Sequence, residues 1–154
     1  GEMTGQPLTL RKRETTDIMP LPATLSLSQN GSVVAPDMID HEQDLTISWT
    51  QMRGNMKSEA SELDDLIFVL AFDCFGNNIA HSGRPYNEKP YLSYKDTSYT
   101  IAAENLKQGV SYQLIVEQAT ADVMRHQGVP GIATYATLTF LDARAAGENT
   151  CPAN

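Results

Sequence analysis

Alternation of apolar and polar residues with a period of two recurs along this chain, and it restricts the fold more than any other feature. In residues 44–51 every second residue is apolar, at Leu45, Ile47 and Trp49. Residues 24–28 and 134–141 show the same period. Successive side chains of a β-strand point to opposite faces of a sheet, whereas a helix would require a period of 3.6. These segments therefore predict strands with one buried face and one solvated face.

Further strands are expected between these segments. Residues 66–72 form a continuous apolar run of strand length, residues 98–101 and 112–117 are rich in β-forming residues, and residues 79–81 suit a short strand. Asn30-Gly31 and Gly76-Asn77-Asn78 supply turns. About seven strands with turns between them and no helix predict an all-β fold, an antiparallel β-sandwich. Residues 53–65 and 82–97 interrupt the pattern and are expected to be enlarged loops.

The domain is expected to span residues 23–142. Residues 1–22 are polar and carry a basic triplet at 11–13, followed by Pro20 and Pro22, so they predict a linker or an edge segment. Residues 143–154 give only weak signals of order and predict a flexible C-terminal tail.

The charge of the chain excludes some classes of partner. Its 154 residues include 11 basic and 19 acidic ones, a net charge of -8. A surface of that sign repels phosphate backbones and anionic lipids, so nucleic acid is not an expected partner. No apolar run approaches the roughly 20 residues that span a bilayer, so membrane insertion is not expected either.

The two cysteines, Cys74 and Cys151, exclude the four-cysteine and Cys-x-x-Cys patterns of zinc and redox sites. Two interpretations stay open. The pair forms a disulfide that closes a long loop, or one thiol is buried and the other lies on the tail.

Residues 106–112 carry a recognisable motif. Leu106, Gly109 and Tyr112 have the spacing of the corner between strands E and F of fibronectin type III domains, with Gln108 where that family has proline. Over residues 22–142 the chain therefore resembles a fibronectin type III domain, an immunoglobulin-like sandwich. The resemblance implies that the ring of Tyr112 fills the core while its hydroxyl bonds to upstream backbone.

The same resemblance implies further roles. Trp49 would be the core tryptophan of the second strand, and Gly109 would allow the corner to turn with a positive φ. Domains of this kind are typical of secreted, periplasmic or cell-surface proteins. We therefore expect an extracytoplasmic location and a native leader peptide that this sequence lacks.

No residue cluster in the sequence predicts catalysis or a cofactor. His41, His81 and His126 are scattered, and no Gly-x-Ser-x-Gly, His-Glu-x-x-His or glycine-rich phosphate-binding motif is present. Two acidic clusters offer the oxygen ligands that calcium prefers, but neither has EF-hand spacing, so solvated acidic surface is the favoured interpretation. The clusters are Asp37, Asp40, His41, Glu42 and Asp44, and Glu59, Glu62, Asp64 and Asp65.

The loop 82–97 contains the residues that best suit recognition. Tyr86, Tyr91 and Tyr94 fall within a proline-rich stretch that begins at Arg84. Tyrosine gives a large contact area at low entropic cost, so these residues either bind a protein or glycan, or pack down on the sandwich and hold the loop. We expect a non-catalytic binding or spacer module. The alternatives are a carbohydrate-binding accessory domain that uses these tyrosines, or a calcium-stabilised adhesion-type module.

Overall fold

The computed structural model describes residues 19–52, 63–84, 90–126 and 129–153, with the backbone alone for 122–126 and 129–133. Nine strands and a single turn of 3-10 helix at Ala103–Asn105 make up the secondary structure of this part of the chain. In chain order the strands are β1 (Leu25–Gln29), β2 (Ser32–Val33), β3 (Leu45–Trp49), β4 (Leu66–Asp73), β5 (Asn78–His81), β6 (Leu92–Ser93), β7 (Ser98–Ile101), β8 (Ser111–His126) and β9 (Val129–Arg144).

The strands form two antiparallel sheets that pack together, so the predicted all-β sandwich is confirmed. The first sheet has the order β2-β1-β3-β7. The second has the order β5-β4-β8-β9, and β6 also pairs with β4. Two of the nine strands, β2 and β6, are only two residues long, which explains why the alternation pattern indicated about seven.

The core lies between the sheets and follows the alternation. Leu45, Ile47 and Trp49 of β3 are buried, and the residues between them are half-buried. Val69 of β4 and Leu114 of β8 face them from the second sheet and are fully buried. Apolar residues at period two thus place one face of each strand in a shared core.

The hairpin of β8 and β9 is much longer than the sequence pattern indicates. Both strands have 16 residues and pair without a register shift from Ser111↔Arg144 to His126↔Val129. β4 pairs with β8 only as far as Leu66↔Ala119, so beyond Ala119 the hairpin continues as two strands. Residues 129–131 belong to β9 although two of them are Pro130 and Gly131, which are typical of loops.

The segments that flank the domain contact it at defined places. Thr137 donates its hydroxyl proton to the carbonyl of Pro20, at 2.6 Å. Ala145 is fully buried and forms a parallel bridge with Ile39. The boundaries at 22 and 142 stay predictions, but residues 143–151 lie against the sandwich. No helix in the described ranges is long and apolar enough to cross a membrane.

Candidate binding surface

The corner between β7 and β8 has the geometry that the motif implies. Tyr112 is 3% exposed, and its hydroxyl accepts a hydrogen bond from the Lys107 amide at 2.6 Å and donates to the Lys107 carbonyl at 3.3 Å. Leu106 is also buried, and Gly109 has a φ of 71°. Burial raises the pKa of the Tyr112 hydroxyl. One phenol thus ties the corner to the core through two hydrogen bonds.

The tryptophan of β3 is held in the same way. Trp49 is 5% exposed, and its indole Nε1 donates to the carbonyl of Asp96 at 2.9 Å. A buried aromatic ring with a satisfied polar atom contributes its full apolar area to the core. Trp49 and Tyr112 are therefore structural residues rather than ligand contacts.

Cys74 and Cys151 form a disulfide, the first of the two interpretations left open by the sequence. The bond attaches the C-terminal segment to the turn after β4. The same segment is held by hydrogen bonds from the Thr150 amide to the Gly109 carbonyl and from the Gly109 amide to the Ala146 carbonyl. The chain beyond β9 is therefore attached to the corner between β7 and β8 and to the second sheet.

The loop tyrosines that the structure describes pack against the domain. Tyr91 contacts a small buried cluster of Leu63 and Ala121, and Tyr94 packs against the main core, with the Lys95 ammonium 5.3 Å from its ring centre. Both side chains are half-buried. Tyr86 lies outside the described residues. The arrangement of Tyr91 and Tyr94 is that of residues that hold a long loop on the sandwich.

Arg84 lies at the start of this loop and is exposed. Its guanidinium carbon is 5.0 Å from the centre of the Phe68 ring, within the range of a cation–π contact. Arg84 therefore extends over the outer side of β4.

The acidic residues before β3 serve local structure. Asp40 accepts hydrogen bonds from the Glu42 amide and the Gln43 side chain, and Asp44 accepts one from the Ala103 amide. Asp37 is exposed. These contacts are those of turns and of a helix start, where carboxylates satisfy backbone amides.

The acidic residues before β4 are dispersed as well. Asp64 forms an ion pair with Lys95, which raises the pKa of that lysine. Asp65 is fully buried and accepts the Ala121 amide at 3.1 Å, where β4 stops accompanying β8. Glu59 and Glu62 are outside the described ranges. Within those ranges no group of three or more His, Cys, Asp or Glu side chains is arranged to hold a metal ion.

The histidines do not converge either, as far as the described side chains show. His41 lies in the turn before β3, and His81 at the end of β5 accepts the Gly83 amide through Nδ1 at 3.2 Å. The side chain of His126 is not among those described.

An open cleft of about 630 Å³ lies beside the disulfide. Its walls include Asp37, Asp73, Asp142 and Arg144. Although burial acts to raise the pKa of Asp73, hydrogen bonds from Asn77 and Phe75 outweigh it and hold that pKa below its ordinary value. Both carboxylate oxygens of Asp73 accept hydrogen bonds within the turn after β4.

The surface that sequence reasoning missed is the outer face of the second sheet. Ile67, Val69 and Ala71 of β4 point into the core, so the residues between them point outwards. Across the sheet, the pairs Leu70↔Ile115↔Phe140 and Phe68↔Glu117↔Leu138 lie side by side. We name as the outer face the side chains of Phe68, Leu70, Phe72, Ile115, Leu138 and Phe140, with Glu117 among them.

The outer face is apolar and in part open. Leu138 is 45% exposed and Phe140 is 56% exposed, while the three β4 residues are half-buried. An antiparallel sheet that is solvated on one side normally carries polar residues there. The signal was present in the sequence, because a continuous apolar run such as 66–72 is typical of a strand covered on both faces.

Comparisons of this chain with protein-family models, with curated proteins and with solved structures gave no match.

Proposed function

We propose that this chain is a non-catalytic binding module of the fibronectin type III kind, in a secreted or cell-surface protein, and that it binds through its outer face. The single observation that carries the binding role is the exposed apolar surface around Leu138 and Phe140. Soluble domains that function alone rarely expose contiguous apolar surface, and larger patches mark interaction sites.

The strand order supports the assignment to the fibronectin type III kind. With β1, β3 and β7 as strands A, B and E, and with β4, β8 and β9 as strands C, F and G, the sheets have the orders A-B-E and C-F-G. These are the orders of immunoglobulin-like sandwiches. The hydroxyl of Tyr112 bonded to Lys107 adds the tyrosine corner, which the same folds carry at the start of strand F.

The disulfide between Cys74 and Cys151 supports an extracytoplasmic location. Disulfides persist in oxidising compartments and are rare where glutathione and thioredoxin keep thiols reduced. A bond that fastens the end of the domain suits a module exposed to proteases and to mechanical load outside the cell.

A capture experiment with two matched double variants tests the proposal. Phe68→Ser with Phe140→Ser removes two aromatic rings from the outer face, and Val33→Ser with Phe75→Ser removes two exposed apolar side chains elsewhere. The immobilised chain is exposed to the extracellular fraction of its source, after melting curves have shown that both variants are folded. We expect the outer-face variant alone to lose the captured protein. Equal capture by both variants, or none by the original chain, would contradict the proposal.

A glycan is the second candidate ligand, favoured by the three aromatic rings of Phe68, Phe72 and Phe140 on one sheet face. Flat aromatic rings offer large apolar areas to the carbon–hydrogen faces of sugars. A glycan array probed with the original chain and with the same two variants separates the candidates. Glycan binding that disappears only in the outer-face variant would favour the carbohydrate-binding interpretation over a protein partner.

A further inference from the structure

The outer edge of β9 presents unpaired backbone groups. β9 is the last strand in its sheet. At Arg144 the amide donates to the Pro36 carbonyl at 2.7 Å and the carbonyl accepts from the Ile39 amide at 3.2 Å, so the backbone groups of Arg144 point away from β8. Backbone direction alternates along a strand, and the register with β8 is unbroken, so the even-numbered residues of β9 all point this way.

These outward groups belong to Ile132, Thr134, Ala136, Leu138, Phe140 and Asp142. Among the described residues, no other segment gives any of the last five a backbone hydrogen bond. The free edge is bounded at both ends of β9. At the C-terminal end, residues 36–39 hydrogen-bond to Arg144. Near the N-terminal end, position 130 is a proline, which has no amide proton to donate.

Within the strand, this edge lacks the usual protection against pairing with another strand, although Pro20 and Ala23 bond to the side chains of Thr137 and Thr139. Natural edge strands are kept short, carry lysine or proline, or are interrupted by a bulge. Residues 134–142 read TYATLTFLD, with one charged residue, Asp142, at the end. The pairing with β8 shows no bulge along this stretch. Strand addition at such an edge gains backbone hydrogen bonds without any loss inside the domain.

We propose that the free edge of β9 pairs with β9 of a second copy of this chain, antiparallel and centred on Leu138. The stretch is complementary to itself in this register. Leu138 faces the partner's Leu138, the large ring of Phe140 faces the partner's small Ala136, and Asp142 faces the hydroxyl of the partner's Thr134. A register shifted by one residue pair toward the hairpin tip would place Asp142 opposite the partner's Ile132.

The two-fold contact joins two four-stranded arrays into one sheet and brings the exposed side chains of Leu138 and Phe140 together. Such an interface is isologous, as in most homodimers. The nine-residue stretch supplies about ten backbone hydrogen bonds between the copies. Edge pairing alone lies at the small end of stable interfaces, below about 1,200 Å² in total, so dimerisation depends on protein concentration.

Sedimentation velocity over a wide range of concentrations tests the proposal. The original chain is expected to pass from monomer to dimer as its concentration rises. Leu138→Lys places two like charges at the centre of the interface and is expected to remain monomeric. Val33→Lys is the matched control, because Val33 is an exposed apolar residue on an edge strand of the other sheet, and it is expected to dimerise normally.

Cysteine cross-linking tests the register. In a hydrogen-bonded antiparallel pair the Cα atoms are about 5.5 Å apart, which suits a disulfide. Leu138→Cys is therefore expected to form a covalent dimer under mild oxidation, with the native bond intact by peptide mass mapping. Phe140→Cys is the control, because its nearest equivalent in the partner lies about 13 Å away along the strand. Cross-linking of both variants to the same extent would overturn the register.

A chain that stays monomeric at all concentrations overturns the proposal. Hydrogen exchange then shows what occupies the edge, because slow exchange of the Leu138 and Phe140 amides in a monomer would mean that another part of the same chain covers them. The inference goes beyond the proposed function, and the two fail separately. A monomer that still captures its partner through Phe68 and Phe140 contradicts dimerisation alone.

Discussion

Replacement of Gly109 by alanine is expected to destabilise this domain more than the same replacement at another glycine with positive φ. Gly109 has a φ of 71°, and a Cβ atom at this position would lie 1.7 Å from the Glu148 carbonyl oxygen and 2.8 Å from its carbon. Both atoms belong to backbone, so the C-terminal segment itself has to move. The glycine is thus required both by the turn and by the chain that crosses it.

The expected loss of unfolding free energy in Gly109→Ala has two parts. An L-residue in the left-handed region costs roughly 1–2 kcal/mol. Displacement of the segment also breaks the hydrogen bonds of Gly109 with Thr150 and Ala146, each worth about 0.5–1.5 kcal/mol. The free energy of unfolding is therefore expected to fall by about 2–5 kcal/mol, a large part of the stability of a domain.

Gly76→Ala is the matched control for this prediction. Gly76 has a φ of 84°, but its Cβ would meet no atom within 4 Å. Its replacement is expected to cost only the backbone part, about 1–2 kcal/mol. Urea denaturation followed by circular dichroism measures both. Equal losses of unfolding free energy in the two variants would refute the reasoning, because they would show that the C-terminal segment does not lie against Gly109 in solution.

Three further predictions concern the disulfide and the tyrosines. Replacement of Cys74 and Cys151 by alanine removes a bond between residues 77 apart in sequence, and is expected to lower the unfolding free energy by about 4 kcal/mol in urea titrations. Tyr112→Phe removes two hydrogen bonds to the Lys107 backbone, each worth about 0.5–1.5 kcal/mol, and is expected to cost about 1–3 kcal/mol, whereas Tyr99→Phe, at an exposed hydroxyl, costs less than about 1 kcal/mol. A loss of unfolding free energy in Tyr99→Phe as large as in Tyr112→Phe would contradict the hydrogen bonding assigned to Tyr112. Burial raises the pKa of the Tyr99 and Tyr112 hydroxyls in the folded state. The stabilisation of the fold by the neutral hydroxyls is therefore complete below about pH 10 and is lost as the pH rises through the folded-state pKa values. Melting temperatures above pH 10 should therefore fall more steeply in the original chain than in Tyr112→Phe, and parallel curves would be the contrary result.

Strands with strict alternation were predictable from the sequence, with their faces. Leu45, Ile47 and Trp49 point into the core as the period of two requires. The corner at Tyr112 was found through a motif, because a fixed spacing of leucine, glycine and tyrosine encodes one local geometry. In these places the side chains that decide the structure are close together in sequence.

Other features depend on contacts between distant segments, and local pattern does not encode them. β9 begins at Val129 and continues through Pro130 and Gly131, two residue types that are uncommon inside strands, so the sequence does not indicate a hairpin with strands of 16 residues each. The attachment of residues 143–151 depends on the disulfide and on the approach of Glu148 to Gly109. Neither contact follows from the local sequence of residues 143–154.

The candidate site shows the same division. Tyr91 and Tyr94 were selected because tyrosine is common in binding loops, but whether a ring packs or binds depends on the strands beneath it. The outer face was not predicted, because its residues come from strands that are distant in sequence. Its members lie on three strands, and β4 alone, with an unbroken apolar run at 66–72, indicated that both of its faces would be covered.

Every inference about the outer face depends on which side of each sheet is inside, and the fluorescence of the single tryptophan measures this most directly. Trp49 is the only tryptophan in the chain and is 5% exposed between the sheets. We predict blue-shifted emission and weak quenching by acrylamide in the folded protein. Both should change to those of a solvated indole in denaturant, at the same midpoint as the circular dichroism of the strands. Emission and quenching of a solvated indole in native buffer would contradict the packing of the two sheets over Trp49.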